Sequence, residues 1–137
     1  MAFVVLGAWL LTASLGLYLF TIWLRHGGLR QRSAGITRLP VWLIMGHVGL
    51  AVAGLLAWSF YLFAHARASA WAACGVVLVV ASFGAMMLFR WLPSPGRHAQ
   101  GGHKTPERHF PVTGVVAHGV CAAATVLLVV AVASRSA

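Results

Sequence analysis

Four long apolar runs, separated by short polar segments, organise this chain. They cover approximately 3–24, 41–63, 70–92 and 111–133. Crossing the hydrocarbon core of a bilayer takes roughly 20 apolar residues in a helix, and each run meets that length. The pattern predicts an all-α fold, an integral membrane four-helix bundle in a single transmembrane domain spanning 1–137. The first run lacks a basic leader, is too long for a cleavable signal peptide, and ends in a basic cluster, so it is expected to remain as a helix.

Inside two of these runs the apolar pattern is broken in the same way. "PVWLIMGH" (Pro40–His47) and "PVTGVVAH" (Pro111–His118) each place a histidine seven residues after a proline. The two runs align without a gap at an offset of 71: Ala51 meets Ala122, Ala53 meets Ala124, and Leu56 meets Leu127. The other two runs align at an offset of 68, where "ASLG" (Ala13–Gly16) meets "ASFG" (Ala81–Gly84) and Trp23–Leu24 meets Trp91–Leu92. We read this as a tandem repeat of two-helix units, about 1–66 and 67–137. An even number of helices per unit inserts both units in the same direction. Each proline stands at or beside the first helical position, where its missing N–H costs nothing. Seven residues at a rise of 1.5 Å then put both histidines about 10 Å inside the membrane. Gly16 and Gly84 are expected in the same layer, about 12 Å from the ends of their helices.

Composition supports the membrane assignment: 61% of residues are hydrophobic and 8% charged, and Glu107 is the sole acidic residue. A soluble domain carries about 25% charged residues. The net charge of +9 raises nucleic acid as a partner, but the positions of the charges argue against it. Arg25, Arg30, Arg32 and Arg38 lie between the first two runs, and Arg90, Arg97, Lys104 and Arg108 lie at or after the end of the third. Only Arg67 and Arg135 fall on the other side. The positive-inside rule makes both basic connections cytoplasmic and both termini external. The expected location is a bacterial plasma (inner) membrane, with the lipid bilayer as the main partner and anionic headgroups as an extra attraction. The tryptophans, mostly toward helix ends, are expected to act as an interfacial belt.

An ionisable residue at membrane depth is costly and points to function. Two histidines at one depth suit a metal-binding role, and haem fits best, because bis-imidazole ligation takes two neutral histidines on facing helices. The candidate haem b site, one per chain, comprises His47 and His118 as iron ligands. Gly16, Gly84, Gly46, Ala117, Gly119 and Gly49 give clearance for a flat ring. Arg38 and Arg108, with Lys104 and His109, are candidates to meet propionates. Zinc needs three or four ligands, which this layer lacks. The connection "RHAQGGHKTPERHF" carries His98, His103 and His109, at spacings that match no recognised ligand pattern. With one carboxylate in the chain, no carboxylate pair or Ser-His-Asp set can be built.

These four helices, with His47 and His118 at matched depth and glycines beside them, resemble a small membrane b-type cytochrome. That group includes cytochrome b561-like proteins and the haem-bearing anchor subunits of succinate dehydrogenases. The resemblance implies electron transport with quinone or a partner redox subunit, so the chain would serve as an electron-transfer subunit rather than a self-contained catalyst. The sequence departs from the di-haem pattern because His65 aligns with Ser136 and no second histidine pair exists. The competing expectation is an accessory subunit of a larger membrane complex, its two histidines held in interhelical hydrogen bonds.

Overall fold

The computed structural model describes residues 1–30, 38–92 and 105–135. It contains four long helices: α1 (Ala2–Arg25), α2 (Val41–Ala64), α3 (Arg67–Trp91) and α4 (Val112–Arg135). All four are long and apolar enough to cross a membrane. Helix α3 starts three residues earlier than its apolar run because Arg67 opens the helix and lies outside the hydrophobic window. Pro40, in an extended conformation, is the N-cap of α2, and Pro111 immediately precedes α4. Helices α2 and α3 are joined by the tight turn His65–Ala66, with His65 in the left-handed region at φ 52°.

The helices pack in the ring order α1–α2–α3–α4, with α4 closing against α1. Large apolar side chains such as Phe3, Phe63, Phe89 and Leu127 point outward. Water would reject such an exterior, whereas lipid accepts apolar side chains and tolerates helices, whose spanning backbone bonds are made internally.

The interior is divided in two. Near the termini, Val5, Trp9, Trp58, Ala70, Ala73, Cys74, Val77 and Val129 form the larger core. At the opposite, basic end, Trp23, Leu39 and Ile44 form a smaller one, packed against Phe20, Val41, Met87 and Phe110. Tryptophan fills both, which corrects the belt expectation for three of them: Trp9, Trp23 and Trp58 are buried inside the bundle. Glycines make their room. A Cβ on Gly54 would stand 2.8 Å from the Trp9 ring, and any side chain at Gly28 would collide with Trp23.

The basic end is tied together by the one carboxylate. A 3-10 turn, Pro106–His109, precedes α4 and buries Glu107 to 2% exposure. Its Oε1 accepts the backbone N–H of Arg38 at 2.6 Å, while its backbone carbonyl accepts the Trp91 indole N–H at 3.0 Å. Arg90 donates from Nη1 to the Arg38 carbonyl at 3.4 Å. Glu107 thus joins the approach to α2, the end of α3 and the approach to α4. A buried donor left without its acceptor costs about 1–3 kcal/mol. Glu107→Ala should therefore lower thermal stability in mild detergent by about that amount, and Glu107→Gln, which keeps an acceptor oxygen, should lower it less. Equal melting temperatures for all three proteins would contradict this role.

Candidate functional site

Between the two cores lies a layer built from histidine and small residues. His47 projects from α2 and His118 from α4, on helices that are diagonal in the ring. Their ring centres are 6.2 Å apart at an interplanar angle of 67°. The equal depth expected from the Pro-to-His spacing therefore brings the two imidazoles together.

Each ring is held in the same manner. His47 donates from Nδ1 to the Val80 carbonyl of α3 at 3.0 Å, and His118 donates from Nδ1 to the Thr12 carbonyl of α1 at 3.0 Å. A carbonyl oxygen can only accept, so Nδ1 carries a proton in both rings, and in the neutral form of each imidazole the lone pair is then on Nε2. Among the described residues, Nε2 of neither ring has a hydrogen-bond partner.

The glycines explain how an imidazole reaches a helix carbonyl. In an α-helix the carbonyl of residue i is already bonded to the N–H of i+4, and the Cβ of i+4 leans back toward the N-terminus. Gly16 stands four residues after Thr12, and Gly84 four after Val80. A Cβ at Gly16 would lie 2.9 Å from Cε1 of His118, and one at Gly84 would lie 3.3 Å from Cε1 of His47. The flat ring that packs on these glycines is therefore the imidazole itself. Gly46 serves a different neighbour, because a Cβ there would lie 2.9 Å from the Phe83 ring. Gly49 and Gly119 have open space around them.

Thr12 has a second task. Its hydroxyl and that of Thr125 are 3.0 Å apart, and Thr125 lies two turns beyond His118 on α4. This bond and the His118 bond both fasten α4 to α1. Sequence reasoning passed over Thr12, Thr125, Val80 and Phe83. The only available signal was the glycine four residues after each accepting carbonyl.

At the basic end, Glu107 holds the Arg38 backbone against the turn that carries Arg108 and His109. The Arg38 and Arg108 side chains are exposed. The His109 ring stacks on His26 at 3.7 Å and 14°, and His26 donates from Nδ1 to the Ile22 carbonyl at 2.8 Å. Lys104, His98 and His103 lie outside the described residues. Trp42 is exposed and meets Phe83 edge-on at 6.3 Å.

Chemically, the layer offers two imidazoles, each tied through Nδ1 and with no hydrogen-bond partner on Nε2 among the described residues. Two imidazoles with Nδ1–H tied to backbone carbonyls and ring centres 6.2 Å apart are a nitrogen donor set of the kind metals take. Among the described residues no group of three or more His, Cys, Asp or Glu could hold a metal ion. A metal held by this pair would have to bring its remaining donors with it.

No protein-family model matches the chain, and no curated protein or solved structure is significantly similar to it.

The two glycines differ in tolerance. Gly16→Ala pushes on the His118 ring and should destabilise the bundle by about 1–2 kcal/mol, an overpacking cost. Gly84→Ala meets a looser contact and should cost less than half of that. Thermal unfolding of the two variants in the same detergent checks the order, and a larger loss for Gly84→Ala would contradict it.

Proposed function

We propose that this chain is a membrane-embedded b-type haem protein. One haem would be held between His47 and His118, and electrons would pass between a quinone pool and a partner redox subunit. The observation that carries the reading is the matched pair of imidazoles. Each has Nδ1–H tied to a backbone carbonyl, each has Nε2 free, and the ring centres are 6.2 Å apart. Haem would supply a one-electron carrier together with the further metal donors that the protein layer lacks.

The chain's own residues would hold and tune that carrier. The Val80 and Thr12 carbonyls fix the imidazole tautomer and ring orientation and raise ligand basicity, as outer partners of metal-bound histidines do. The apolar cores on both sides of the layer keep water away from it. A tandem duplication of a helix pair accounts for the two like half-sites: His47 with Val80 and Gly84, and His118 with Thr12 and Gly16. The positive-inside rule would set the basic end in the cytoplasm and both termini outside, in a bacterial plasma membrane. One site near the cytoplasmic side would span only part of the bilayer, so a partner is needed to complete the electron path.

The hydrogen bonds to Val80 and Thr12 also favour a second reading. They tie α2 to α3 and α4 to α1 without any ligand, as expected of an accessory subunit whose histidines act as interhelical ties. A difference spectrum separates the two. Protein purified from haem-replete cells should show a reduced-minus-oxidised b-type spectrum, and His47→Ala and His118→Ala should each abolish it. A colourless wild-type preparation, or a spectrum unchanged in either variant, would contradict the haem reading.

A further inference from the structure

One buried polar atom in the described structure has no partner: the indole Nε1–H of Trp23. Its side chain is fully buried. Leaving such a donor unsatisfied costs about 1–3 kcal/mol, and two other indoles in the bundle avoid that cost. Trp58 donates to the Ala2 carbonyl at 3.2 Å, and Trp91 to the Glu107 carbonyl at 3.0 Å. Trp91 is the residue that aligns with Trp23 in the Trp-Leu pair of α3. The same residue at the same helix position is thus partnered in α3 and unpartnered in α1.

Its position relates it to the histidine layer. Trp23 stands seven residues beyond Gly16, two turns along the same face of α1 and about 10 Å toward the basic end. It packs with Ile44, one turn before His47, and with Met87, nearly one turn after Gly84. The basic-end core is therefore the wall of the layer on that side, and Trp23 is its one donor without an acceptor. The wall on the other side is the apolar core around Val5, Trp9 and Val129.

We infer that Trp23 donates its indole N–H to a carboxylate of the porphyrin held at His47 and His118, an inference that rests on the haem reading above. Protoporphyrin carries two carboxylates on one edge and none on the other. Anionic groups are costly in the hydrocarbon core, so that edge belongs toward the basic end, where Arg25, Arg30, Arg38, Arg90 and Arg108 are also found. Trp23 would then complete its hydrogen bonding and set which way the porphyrin stands.

The test compares iron protoporphyrin IX with its dimethyl ester, which lacks carboxylates, in titrations of the full-length protein in detergent. A hydrogen bond to a charged group contributes about 1.5–3 kcal/mol, so the wild type should bind the free acid about tenfold or more tightly than the ester. Trp23→Phe should cut that preference about tenfold, the share of one hydrogen bond to a charged group, without weakening ester binding. Replacing Trp23 with benzothienylalanine, which keeps the ring shape and lacks the N–H, should do the same and covers the case in which Trp23→Phe fails to fold. Trp91→Phe should keep the preference. An unchanged preference in the Trp23 variants, or equal loss of acid and ester binding, would overturn the role of Trp23 and leave the haem reading intact. Failure of the wild type to bind either porphyrin would overturn both.

Discussion

An imidazole in an apolar interior must satisfy its N–H, and that constraint organises the middle of this protein. In both half-sites the solution is a carbonyl of the neighbouring helix, reached because the residue one turn further along is glycine. The hydrogen bond does two things together. It joins α2 to α3 and α4 to α1, and it places a proton on Nδ1, so that a neutral ring has its lone pair on Nε2. A structural tie and a ligand set would use the same arrangement, which is why the structural and haem readings share so much of the same geometry.

The rest of the bundle accommodates that layer. Buried apolar residues separate into a core near the termini and a smaller one at the basic end, with the histidines between them. Tryptophans fill both cores, and Gly54 and Gly28 leave room for Trp9 and Trp23. At the basic end, the only acidic side chain is used as a backbone acceptor. Glu107 holds the approach to α2 against the approach to α4, and those are the helices from which the histidines project. Its position therefore bears on the registration of His47 and His118.

Much of this was legible in the sequence, for definable reasons. Long apolar runs mark membrane-length helices because lipid allows few alternatives, and the boundaries moved by only a few residues, as where Arg67 begins α3. The common depth of His47 and His118 followed from rise per residue and the Pro-to-His spacing. Backbone carbonyls carry no side-chain signature, so Val80 and Thr12 could not be picked out as acceptors. Gly16 and Gly84 were selected as clearance for a flat ring, and the ring they admit is the imidazole. Hydropathy does not say which face of a helix turns inward, so Trp9, Trp23 and Trp58 read as belt residues although they are buried. Glu107 had no periodic context that would mark it as buried.

The central claim, one iron shared by two imidazoles within one chain, is tested most directly by combining haem stoichiometry with electron paramagnetic resonance of the oxidised protein. The account predicts one haem per chain with a low-spin signal of bis-imidazole character. A high-spin signal, or one haem for every two chains, would contradict it.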